Sequence, residues 1–208
     1  QPAPSPTSRP TATASVPTPL PSPTLAPTTV GGGGGQIAFA SRRSGTTQVW
    51  IINVDGSNLT QVTKDAAQKT RLQWIPNSND LVYISGKCVK TVNAETGKAD
   101  IITCYNNSAV VNDFSISPDG KFVAISLDND LLYVLPFDIA QLKTTKNRGD
   151  LVPLAVCKAS PDQDKIFVKT VHWAADSKVL AFVFAAPVAG IKMDQIKAVN
   201  VSACTSPS

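Results

Sequence analysis

"NDFSISPDGKFVAIS", residues 112 to 126, reads as two short apolar strands joined by a tight polar turn. Apolar Phe114 and Ile116 alternate with polar neighbours, Pro118-Asp119-Gly120 interrupts the run, and Phe122 to Ile125 resumes it. Alternation of period two marks a strand with a buried face, and Gly in the turn takes positive φ without steric cost. The same plan returns in "RLQWIPNSNDLVYIS" (71–85) and "TVHWAADSKVLAFVF" (170–184). A further copy of the second strand, "QIAFAS", begins at Ile37 with no partner strand before it. Second strands therefore start near residues 37, 81, 123 and 180, at intervals of 44, 42 and 57, the last enlarged by an insertion around 138–168.

A third strand follows each second one, in "TQVWIINV", "KCVKTVN", "DLLYVLPF" and "QIKAVNVS". A fourth is legible after two of them, in "LTQVT" and "ADIIT". Roughly 42 residues per four-strand unit is the period of a β-propeller blade, which hides its apolar faces only by packing on neighbouring blades. Trp74, Ile116, Trp173, Phe39, Tyr83 and Phe182 are the expected inter-blade core. The turn after "VWIINV", Asp55-Gly56, and its counterpart Asp119-Gly120 are expected to be blade turns rather than binding sites. "DGSN" lacks the alternating oxygens of a calcium loop, and Asp128 and Asp130 offer only two carboxylates, so no metal is assigned.

The wording of the repeat also resembles a known family. "SISPDGKFVAIS" is similar to the Trp-Ser-Pro-Asp-Gly-Lys…Ile-Ala-Phe element of TolB-like propeller repeats, within the WD-type repeat superfamily. "VWIINVDGSNLTQVT" resembles the Tyr-x-x-x-x-Asp-Gly…Leu-Thr element that completes the same blade. The likeness covers 36–135 well and 170–201 loosely. Pro76-Asn77-Ser78 and Ala175-Asp176-Ser177 replace Pro-Asp-Gly, which puts the turns of two blades in question but not the repeat. The resemblance implies an all-β, propeller-like head of about four blades (near 36–63, 70–103, 111–156 and 170–204) that serves as a docking platform.

Ahead of that head, residues 1–30 contain nine Pro, seven Thr and four Ser with Arg9 as the one charge. Such a segment buries too little apolar surface to offset its ordering entropy. Its prolines favour an extended polyproline II stalk, at about 3.1 Å per residue, and Gly31 to Gly35 supply a swivel. Residues 1–35 are thus read as stalk and linker, and 36–208 as one domain. A chain that opens on Gln and such a stalk is expected to be secreted or tethered to the cell surface after loss of a signal peptide. Thr7, Thr11, Thr13, Thr18, Thr24, Thr28 and Thr29 are candidate O-glycosylation sites. Asn58, Asn106 and Asn200 head Asn-x-Ser/Thr triplets and are candidate N-glycosylation sites. Four cysteines fit an oxidising compartment. Cys88 and Cys104 face each other across an antiparallel hairpin, leaving Cys157 to pair with Cys204.

Little in the chain suggests chemistry. No Cys-x-x-Cys pair occurs and there is one histidine, so a zinc site is not expected. Net charge is +4 with the basic residues scattered, and nucleic-acid binding would need a basic stripe with interleaved aromatics. There is no Gly-x-Ser-x-Gly elbow and no phosphate-cradling loop. Asp113 is the least implausible catalytic group, Glu95 being the sole glutamate, and His172, beside Trp173 in an inner strand, is read as a structural histidine. No catalytic residue, cofactor or transmembrane segment is assigned. The expected role is a non-enzymatic surface protein that docks to other proteins, with self-association through unpaired blade edges as one form of it. The alternative is a glycan or small-ligand module that binds through Lys143, Lys146 and Arg148 in the insertion. The strand count leaves the first blade without its first strand and the fourth without its last. A closed four-blade ring, an open arc completed by another chain and a part of a longer propeller all remain open.

Overall fold

Alternation along each repeat is converted into four separate antiparallel sheets, following one another in chain order. The computed structural model describes residues 1–2, 34–106, 109–128, 130–160 and 166–204. The stalk threonines 7 to 29 and the Asn107-Ser108 part of the Asn106 triplet lie outside the described residues. The first sheet holds β1 (Gln36–Ser44), β2 (Thr46–Asn53) and the short β3 (Thr60–Gln61). The second holds β4 (Lys69–Trp74), β5 (Asp80–Ser85), β6 (Cys88–Asn93) and β7 (Ala99–Cys104). In the third lie β8 (Val111–Ile116), β9 (Phe122–Leu127), β10 (Leu131–Pro136) and β11 (Cys157–Lys158). In the fourth lie β12 (Phe167–Trp173), β13 (Val179–Val188) and β14 (Ile191–Asn200). The chain is all-β and propeller-like, with three strands in each end blade and four in each inner one.

The repeat-defining turn closes with the same hydrogen bond in three blades. The Ile75, Ser117 and Ala174 amides donate to the carbonyls of Asp80, Phe122 and Val179 at 2.9, 2.8 and 2.8 Å. One residue in each turn takes positive φ: Asn77 at 58°, Gly120 at 73° and Ser177 at 61°. The departures from Pro-Asp-Gly are therefore absorbed without loss of the hairpin. Gly120→Ala is expected to cost about 1–2 kcal/mol, because a Cβ is disfavoured in the left-handed region. The Cβ itself would meet Pro76 at an ordinary 3.5 Å, so the loss read in a urea melt comes from the backbone.

Three apolar layers join the sheets in sequence. Val49 and Ile51 of the first sheet pack with Leu81, Tyr83 and Val92 of the second. Val82, Ile84 and Val89 meet Phe114, Ile125 and Leu127 of the third. Ala124, Leu132 and Val134 meet Leu180, Phe182 and Phe184 of the fourth. Each fully buried side chain of this kind contributes roughly 1.5–3 kcal/mol, which is why the sheets stack rather than stand alone. Tyr83, Ile116 and Phe182 are buried, and Trp74 and Trp173 pack at the margins of these layers. Phe39 departs from the expected inter-blade role. It pairs with Trp50 on the outward face of the first sheet, beneath the Arg43 guanidinium, where no other described sheet packs. Among the described residues, no packing comparable to these layers joins the fourth sheet to the first.

The insertion is folded. Asp138 caps a helical turn, α1 (Ile139–Leu142), and a 3-10 turn follows over Arg148–Leu154 before β11 completes the third sheet. Leu142 and Leu151 enter the second apolar layer. Thr145 clasps the insertion to the second sheet: its carbonyl accepts from the Thr103 hydroxyl, and its own hydroxyl lies 3.4 Å from that of Tyr105. Burial pushes the Tyr105 phenol up to about 12. Cys88 is joined to Cys104 (Cα–Cα 4.0 Å), and Cys157 to Cys204 (5.2 Å).

Candidate interaction faces and axial cavity

The innermost strands β4, β8 and β12 each carry a bulge, between Thr70 and Gln73, Val111 and Asp113, and Val168 and Thr170; those of β8 and β12 share a repeat position, and that of β4 lies one step nearer the turn. A bulge adds an unpaired residue and redirects the local backbone. Here it brings the Asn112 and Lys169 carbonyls to Arg71, which donates from Nε at 3.2 Å and Nη2 at 2.8 Å. Arg71 sits at φ 53°, a left-handed position rare for a residue with a Cβ. Gln73 binds both backbone groups of Ile116, accepting from its amide at 2.9 Å and donating to its carbonyl at 2.8 Å. Trp173 Nε1 donates to the Ser115 carbonyl at 2.9 Å. Three sheets are thus laced together around a cavity of about 400 Å³, lined by Arg71, Gln73, Asp113, Ser115, Thr170 and His172.

Asp113 is buried there. Its Oδ1 accepts from the Phe114 amide at 2.9 Å, and its Oδ2 from the Val171 amide at 3.1 Å with Arg71 Nε at 3.5 Å. Burial raises its pKa, and Arg71 and the two amides offset only part of the rise. His172 is exposed, with Nε2 3.2 Å from the Thr170 hydroxyl on the same strand. The Asp113 oxygens are therefore committed to joining the third sheet to its neighbours. Since its folded pKa lies above the ordinary 3.8, the stability linked to Asp113 is full below that value and falls as pH rises through the folded one. Arg71→Met is expected to move the Asp113 midpoint further upward in a carboxyl ¹³C titration; an unmoved midpoint would discount the Arg71 contact.

The end sheets present a different kind of surface. Residue pairs Ala40–Val49, Ile84–Val89, Ser126–Leu132 and Val183–Ile196 occupy one repeat position in the four sheets. Val49, Val89 and Leu132 are 0% exposed beneath the following sheet, whereas Ile196 is 81% exposed. Phe167, at 40%, lies on the same outward face under Lys192. At the opposite end Ile37 occupies the repeat position of Leu81, Val123 and Leu180. Those three are 0% exposed, and Ile37 is 51% exposed. The Trp50 indole N–H beside it is buried without a hydrogen-bond partner. Both end faces carry residues at inter-sheet core positions with no sheet over them among the described residues.

The residues singled out from sequence are dispersed. Asp55 accepts from the Ser57 amide and hydroxyl, which lower its pKa, and Gly56 takes φ 84°, so this stretch is a turn. At Asp119, burial pulls the pKa upward but is outweighed by hydrogen bonds from the Ser117 hydroxyl and Lys121 amide. Asp128 caps the Val110 amide and Asp130 pairs with Arg148. Lys143 pairs with Asp100, while Lys146 is exposed and uses its backbone to hold Asn106 and Asp150. Asn58, Asn106 and Asn200 are exposed, and Asn200 caps the final 3-10 turn. Among the described residues, no group of three His, Cys, Asp or Glu side chains could hold a metal, and no helix is long and apolar enough to cross a membrane.

This arrangement defines a propeller-like fold. The chain is similar to TolB from Acinetobacter baumannii (TM-score 0.55, 19% identity), across 82% of this chain and 40% of that one. It also aligns with the tricorn protease (TM-score 0.47, 16% identity, 79% of this chain and 16% of that). A chain of the mitotic checkpoint complex aligns at TM-score 0.43 and 19% identity, over 65% of this chain and 36% of that. In each case the chain spans less than half the length of the protein it matches. No protein-family model and no curated protein matches the sequence.

Proposed function

We propose that this chain is a non-catalytic docking module, held outside the cell on its Pro/Thr/Ser-rich stalk, that binds protein partners through its two end sheets. One observation carries the reading: Ile196 is 81% exposed where Val49, Val89 and Leu132 are 0% exposed. Monomers seldom expose contiguous apolar surface unless something covers it. The paired cysteines support an oxidising location. Commitment of Asp113 to backbone amides and Arg71 argues for a joint at the axis rather than a reacting group.

A photo-crosslinking residue at position 196, introduced in the source organism, tests the reading. Protein adducts at 196 that are missing from a control at Lys143 are the expected result. No adduct at 196, together with ester or glycoside turnover abolished by Asp113→Ala and His172→Ala, would replace it with an enzyme. Binding of glycans lost on deletion of residues 141–150 would favour a ligand-binding module.

A further inference from the structure

Resting on that docking reading, we infer that the partner of the fourth-sheet face is the first-sheet face of a second copy of this chain, in a head-to-tail association. Every internal interface sets the trailing face of one sheet, centred on the Val49, Val89 or Leu132 position, against the leading face of the next, centred on the Leu81, Val123 or Leu180 position. Ile196 and Val183 form a trailing face, and Ile37 and Phe39 a leading face, that no sheet covers among the described residues. The two belong to opposite ends of one chain and are not packed together within it among the described residues. A second copy offers each the kind of face that the same chain already buries three times. Self-pairing of two trailing faces would instead juxtapose surfaces that never meet inside the chain.

Head-to-tail contacts close into a ring or extend as a filament, according to the rotation between copies. Two copies would bring eight sheets together, within the range of closed propellers. The charge on the faces adds a signature. Arg43 lies over Phe39 and Trp50 on one face, while Lys169 and Lys192 outnumber Asp194 on the other. Both are net positive, so association should tighten as salt screens the repulsion.

The test is molar mass by light scattering on the full chain and on Ile37→Glu and Ile196→Glu, both at exposed positions so that folding is retained. Unchanged far-ultraviolet circular dichroism and a single cooperative melt verify this. The wild type is expected at two or more times 21.9 kDa, with the larger species favoured by salt. Each variant alone is expected at one chain mass. Mixed together they are expected to give two chain masses and no more, since one intact face of each kind remains. A wild type that stays at one chain mass to its solubility limit overturns the inference. So does an Ile37→Glu variant that still pairs by itself. A crosslinked adduct at 196 that joins only a different polypeptide overturns the choice of partner while leaving the docking module standing.

Discussion

The double replacement Cys157→Ala, Cys204→Ala is expected to lower stability by about 4 kcal/mol, the loop-entropy value for a separation of 47 residues. For a domain of this size that corresponds to a melting temperature roughly 10 °C lower. The corresponding replacement of Cys88 and Cys104, 16 residues apart, is expected to cost about 3 kcal/mol. The order follows from what each bond encloses. Cys88 and Cys104 face each other across neighbouring strands of one sheet, so the bridge closes a segment whose hydrogen bonds already bring its ends together. Cys157, wholly buried on β11, is tied to a residue beyond β14, so that bond fastens the third sheet to the end of the fourth. Paired thermal melts of the two variants check the ranking. A larger loss from the Cys88–Cys104 pair would mean that the third-to-fourth layer holds without its covalent tie.

Asp65→Ala is expected to destabilise by about 3 kcal/mol, out of proportion to a half-exposed aspartate, because of what it leaves behind. The Lys69 side chain is 0% exposed, and its ammonium donates to the Asp65 carboxylate and to the Asp65 and Ala67 carbonyls. Removing the carboxylate leaves a buried cation with carbonyl partners alone. The Asp65→Ala, Lys69→Met double variant removes both charges and is expected to recover most of the loss; a double-mutant cycle in urea reads the difference. If the single variant matches the double, the pair contributes nothing. The pH response has a definite sign. Burial pulls the Asp65 pKa upward, but the Lys69 hydrogen bond and charge, aided by Lys90, hold it below 3.8. Its contribution is therefore present above 3.8 and lost as pH falls through the lower folded value.

The repeat was legible because its signals are local. A period of two, a five-residue closure and a residue tolerant of positive φ all lie within fifteen consecutive positions, and the same closing bond forms where Ser78 or Ser177 stands in place of glycine, the positive φ passing to Asn77 in the first case. β11 was not legible. Two residues, Cys157 and Lys158, become a strand only because Val134 and Tyr133 offer them an edge. Lys69, in "TKDAAQKT", carries nothing in its neighbourhood that announces full burial, and Arg71 nothing that announces a left-handed backbone. Ile196 is the intermediate case. Residue type and alternation were plain, and its repeat register with Val49, Val89 and Leu132 could have been counted off. Its bareness shows only in the structure, where no described sheet covers it.

Arg71 has a consequence for how the molecule opens. One guanidinium spans carbonyls on β8 and β12 from its own place on β4, and Gln73 and Trp173 repeat the lacing. Sheets two to four are therefore expected to exchange their amide hydrogens as one cooperative unit, with a common free energy of opening. The first sheet lies beyond the reach of that lacing. It is held by one apolar layer and by Gln48, which donates to the Asp65 carbonyl at 2.6 Å. The amides of β1 and β2 should thus trade with solvent through a separate, lower-energy excursion in which the first sheet swings away while the other three stay closed. A leading face that comes and goes on its own timescale is also the one on which a partner's arrival would be felt most strongly as protection.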